Sequence, residues 1–132
     1  MAIGQKMNVK QLKTFLEGET LSDRLRNEIL QLFKSFRDDE NLKDYELSRL
    51  ARNLARNSIW VPAERIVDLI NDKNERLQRL SYIAEKMAIG GKPDESLSLL
   101  RSSLGKEQSR ETKIAQVQAL NQIVNSFIKC NE

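Results

Sequence analysis

LSYIAEKM, residues 80–87, decides the fold, because LSRLARNL, residues 47–54, precedes it by 33 positions and carries the same pattern. Leu80, Ile83, Ala84 and Met87 fall at i, i+3, i+4 and i+7, one face of a helix with 3.6 residues per turn, and Leu47, Leu50, Ala51 and Leu54 repeat that face. The offset continues downstream, where Ala63-x-x-x-Val67 recurs as Ser96-x-x-x-Leu100. A period in the low thirties with small residues at fixed places suits antiparallel helix pairs stacked side by side. Such an assembly points to an interaction scaffold.

Helices are expected on both sides of this centre. Asn8 can cap a short helix with Val9, Leu12, Phe15 and Leu16 on its apolar face and Gly18 at its end. Thr20, followed by Asp23, is expected to start a second, with Leu21, Leu25, Ile29, Leu32, Phe33 and Phe36 inward. Asp38-Asp39-Glu40 reads as a solvated link, and a third helix is expected over 44–56. Residues 57–62 read as a turn whose Ile59-Trp60-Val61 either tucks over the core or offers an aromatic anchor to a partner. Pro62 suits the first turn of a fourth helix carrying Ile66, Val67, Leu69 and Ile70. The fifth stops at Gly90-Gly91, and Pro93-Asp94-Glu95 opens the sixth.

After Gly105 the apolar positions 114, 117, 120, 124, 127 and 128, with Ile123 beside them, define a long final helix. Its face is expected to bury against the preceding hairpin, with self-association into a homodimer through residues 114–128 as the alternative. No strand-like alternation occurs. The chain therefore reads as all-α: a single helical domain over 8–132 behind a flexible leader at 1–7. About seven antiparallel helices would form a compact bundle or a short solenoid.

Leu80, Ile83, Ala84, Met87, Ser96, Leu100 and Ser103 occupy the spacings of the tetratricopeptide signature, with Gly91-Lys92-Pro93-Asp94-Glu95 in the inter-helix turn. The segment resembles that helical repeat, and 47–70 resembles a degraded copy. Leu80 stands where the family usually has an aromatic residue, Ala84 where it has Gly, Met87 where it has Tyr, and Gln108 where a closing Pro is common. The resemblance implies a groove that receives a peptide or helix of a partner protein, lined by the first helix of each pair. Arg49, Asn53, Arg56, Arg79 and Lys86 map to that groove, with Trp60 as the candidate anchor. Asn and Arg supply donors for peptide carbonyls and carboxylates.

Composition narrows the alternatives. The 132 residues are 39% hydrophobic and 31% charged, as in globular domains, and carry a formal net charge of +3. Arg49, Arg52 and Arg56 lie three and four apart, with no acidic residue between Glu46 and Glu64. This stripe supports a second reading, a helical nucleic-acid-binding accessory protein that holds phosphates on that face. The chain has no histidine, which removes the commonest general base and a usual zinc ligand, and its acidic pairs fall in turns or at helix starts. Gly90-Gly91-Lys92 follows a helix and is too short to cradle phosphate. No enzyme activity, cofactor or metal is expected. A single cysteine, Cys130, and the lack of an eighteen-residue apolar run point to a cytoplasmic protein with no membrane span.

Overall fold

The computed structural model describes residues 8–104 and 109–130. The expected leader at 1–7, and Gly105 and Gln108, lie outside them. Among the described residues the chain forms seven helices: α1 (Val9–Glu17), α2 (Asp23–Leu32), α3 (Asp44–Arg56), α4 (Trp60–Val67), α5 (Lys73–Ile89), α6 (Pro93–Ser103) and α7 (Arg110–Cys130). No strand occurs among them, only an isolated bridge between Asn8 and Asn41. The fold is all-α.

Local chemistry explains most boundaries. The Asn8 side chain accepts from the Gln11 N–H at 2.8 Å, and the Gln11 side chain accepts from the Asn8 N–H at 3.0 Å. This reciprocal pair satisfies two donors that a helix start leaves open. The acidic link does the same from outside: the Glu40 and Asp38 carbonyls accept from Val9 and Lys10 at 2.9 and 3.0 Å. Helix α2 is capped by Ser22, not Thr20, because its hydroxyl reaches the Leu25 N–H at 3.2 Å. Asp44, at the start of α3, ties the turn between α4 and α5 by accepting from Asn71 and Asp72, both at 2.9 Å.

The turns leaving α3 and α5 share one geometry at the 33-residue offset. Ile59 donates to the Leu54 carbonyl at 2.9 Å, as Lys92 donates to Met87 at 2.9 Å. Each turn contains one left-handed residue, Ser58 at φ 63° and Gly91 at φ 84°. The six-to-one bond with a left-handed residue before it is the Schellman ending. Because Ser58 completes this turn, α4 begins at Trp60. Trp60 therefore lies in the first turn of α4, two residues ahead of Pro62, and not in a loop.

Helix α5 packs on α3, α4, α6 and α7, while α3 pairs with α4 and α6 with α7. One apolar cluster unites Val9, Leu12 and Leu16 of α1 and Leu25 and Ile29 of α2 with Leu47, Leu50, Ala51 and Leu54 of α3, Ile66 and Val67 of α4, and Ile83 and Met87 of α5. A second, smaller cluster joins Ala84 and Ala88 of α5 to Leu100 of α6 and Ala119 and Ile123 of α7. The small positions of the repeated pattern are all buried: Ala51, Ala63, Ala84 and Ser96. The Ser96 hydroxyl donates to the Ala84 carbonyl, so α5 and α6 touch through that pair.

Helix α7 is turned the other way from the expectation. Ile114, Val117, Leu120, Val124 and Ile128 are exposed, and Thr112, Gln116, Ala119, Ile123 and Ser126 face the body. Phe127 is half-buried against the second cluster. Small residues such as Ala119 on this inner face let α7 lie close against Ala84 and Ala88, small buried positions of α5. Polar bonds fix its start: the Asn74 side chain accepts from the Ser109 N–H at 3.0 Å and from the Thr112 hydroxyl at 3.1 Å. The Gln116 amide donates to the Ser103 carbonyl at 3.2 Å, satisfying a buried polar group where α6 ends. Burial of the 114–128 stripe against the hairpin is therefore corrected; only Ile123 and part of Phe127 bury there.

Candidate interaction face on α3 and α5

Spacing creates the site. Arg79, Tyr82 and Lys86 lie three and four residues apart on α5, so one face presents all three. The contact between α3 and α5 brings Arg52 to the same place. The Arg52 guanidinium lies 5.9 Å from the centre of the Tyr82 ring, Arg79 5.8 Å and the Lys86 ammonium 5.2 Å. Three cations thus converge on one aromatic ring.

A ring of this kind attracts each cation by about 0.5–1 kcal/mol at an exposed position. That attraction acts against the mutual repulsion of three like charges. Glu75 supplies negative charge beside Arg79. Its own carboxyl is pushed above the ordinary range, first by burial, then by Asp44 and Asp72, while Arg79 and a hydrogen bond from Ser48 act in the opposite sense. Arg79 is drawn below its ordinary value by burial first and by Arg52 second, with Glu75 and Tyr82 opposing. Its guanidinium remains a cation at any physiological pH. The Arg79 Nε is buried and has no hydrogen-bond partner among the described residues. An anion seated over Tyr82 would offset the repulsion, and a carboxylate or phosphate oxygen is the natural acceptor for such a cluster.

The residues proposed from sequence do not form one site. Arg79 and Lys86 meet at Tyr82, joined by Arg52. Arg49 is exposed on α3. Asn53 and Arg56 line a separate polar cavity of about 320 Å³ with Ser22, Arg24, Leu25, Glu28 and Asn57, facing α2. The Asn57 amide donates to the Asn53 carbonyl at 2.7 Å within that cavity. Trp60 borders a groove of about 560 Å³ with Val61, Glu64, Met87 and Lys92, and its ring lies close to Gly90 at the end of α5. Arg49, Arg52 and Arg56 are all exposed on α3, but Arg52 leans to Tyr82 and Arg56 borders the α2 cavity.

Tyr82 was missed. The signal for it was present in Arg79-x-x-Tyr82-x-x-x-Lys86, which puts an aromatic ring between two cations on one helical face. Among the described residues no three His, Cys, Asp or Glu side chains group as metal ligands, and no helix is long and apolar enough to cross a membrane. Comparison with known families, curated proteins and solved structures found no match to this chain.

Proposed function

We propose that this chain is a non-enzymatic interaction module that binds an acidic segment of a partner protein over Tyr82. The observation that carries the reading is the convergence of Arg52, Arg79 and Lys86 on that ring, with the Arg79 Nε unsatisfied. The tetratricopeptide-like reading has support in two findings: the matching turns at Ser58 and Gly91, and the order in which α3, α4, α5 and α6 pack. In that reading α3 and α5 are the first helices of consecutive pairs, and their shared face is the groove.

The exposure of Arg49, Arg52 and Arg56 along α3 favours the second reading, a nucleic-acid contact. Fluorescence anisotropy with a labelled Glu- and Asp-rich peptide and with labelled DNA and RNA oligonucleotides separates the two. The protein-binding reading expects the peptide to bind and the Arg79→Ala/Lys86→Ala variant to weaken it by roughly tenfold or more. Oligonucleotide binding that falls steeply with salt, is lost on charge reversal at Arg49, Arg52 and Arg56, and has no peptide counterpart would overturn it.

A further inference from the structure

Five large aliphatic side chains of α7 stand in water: Ile114 is 47% exposed, Val117 57%, Leu120 45%, Val124 49% and Ile128 55%. Four of them, with Asn121, fall at 114, 117, 121, 124 and 128, alternating steps of three and four. That is the seam of a two-helix coiled coil, with a single polar residue at its middle. The whole run from Ile114 to Ile128 contains no charged residue. An ordinary solvated helix face carries charge. Leu120 and Val117 also border a groove of about 490 Å³ shared with Leu97, Leu100 and Leu104 of the α6 side, which widens the apolar patch and is lined as well by Arg101 and Lys113.

We propose that this face is covered by α7 of a second copy of the chain, in a two-fold contact that places Asn121 against its counterpart. Three observations select a copy of itself as the occupant. The stripe from Ile114 to Ile128 is neutral, so a homotypic contact along it brings no like charges together and an oppositely charged partner finds nothing on it to pair with. The exposed aliphatic side chains amount to on the order of 500 Å² per copy, and rim residues would bring this near the ~800 Å² per partner of a stable interface. Asn121 sits between two aliphatic pairs, so only a register that sets a polar group opposite it leaves no amide buried without a partner, and Asn121 of the other copy supplies that group. A lipid surface fits less well, because a helix lying on a membrane displays a cationic outer face, whereas the opposite side of α7 is buried on α5 and α6.

The contact is independent of the cationic face at Tyr82 and is tested without it. Light scattering after size exclusion, on the whole chain at up to roughly 100 μM, is expected to give the mass of a dimer. The Val117→Glu/Val124→Glu variant is expected to give a monomer with an unchanged far-ultraviolet circular dichroism spectrum, since both side chains are solvent-facing in the single copy. In a Cys130→Ser background, Asn121→Cys is expected to cross-link two copies under mild oxidation. A wild-type chain that stays monomeric, a dimer that survives the double substitution, or failure of Asn121→Cys to cross-link would overturn the proposal. So would a monomer that instead floats with phosphatidylcholine–phosphatidylserine vesicles.

Discussion

Helices α3 and α7 are both amphipathic, and they use their two faces in opposite ways. Helix α3 buries Leu47, Leu50, Ala51 and Leu54 and turns Arg49, Arg52 and Arg56 to solvent. Helix α7 buries Thr112, Gln116, Ala119 and Ser126 with Ile123, and turns Ile114, Val117, Val124 and Ile128 to solvent. The periodicity of large apolar residues identifies a face in each case. It does not say what covers that face. Close approach to α5 is set by small residues, and on α7 the small residues lie opposite the aliphatic ones.

The largest contrast is expected in stability. Leu54 is completely buried, whereas Val124 is about half exposed. Leu54→Ala is expected to cost about 2–5 kcal/mol in chemical unfolding, since it removes buried methyl groups and leaves a cavity. Val124→Ala, measured at a concentration low enough to keep the chain monomeric, is expected to stay within about 0.5 kcal/mol. Equal losses at the two positions would erase the distinction.

A smaller contrast is expected in the response to pH. The folded state holds the Glu75 proton more tightly than the unfolded chain does, because burial and then Asp44 and Asp72 raise its carboxyl. Stability from this group therefore grows as pH falls through the raised value, is complete below the ordinary carboxylate range, and is lost as pH rises. Glu75→Gln should flatten part of that slope just above the ordinary carboxylate range, with Glu64, raised by burial and Asp68, keeping the remainder. Association through α7 should show no such slope from its own face, which has no ionisable side chain between Ile114 and Ile128. Light scattering across the same pH range checks this.

Much of the architecture could be read from local chemistry. Asn8, Gly18, Gly90 and Pro93 stand at the expected helix ends, with Asn8 acting through its side chain and Gly91, not Gly18 or Gly90, taking the left-handed conformation, and α3 spans the expected 44–56. Thr20 misled because Ser22 can make the same cap closer to the apolar face. Trp60 misled because Ser58 adopts a left-handed conformation more often taken by glycine, which shortens the turn. The cluster at Tyr82 was only partly legible: the repeat resemblance names Arg79 and Lys86, which meet at that ring, but where Asn53, Arg56 and Trp60 lie depends on how α2 and α4 sit against α3 and α5. That arrangement is a tertiary property, and spacing along one helix does not carry it.

The orientation of α7 is the claim on which most else rests, and Ala119 and Val124 test it from one helix. Ala119 is fully buried against α5, and Val124 faces out. Urea unfolding of Ala119→Glu and Val124→Glu at a concentration that keeps the chain monomeric compares the two faces directly. Ala119→Glu is expected to destabilise by at least about 3 kcal/mol because it forces an unpaired carboxylate into a packed contact. Val124→Glu is expected to change stability by less than about 0.5 kcal/mol. The reverse order, with Val124→Glu severe and Ala119→Glu mild, would contradict the account.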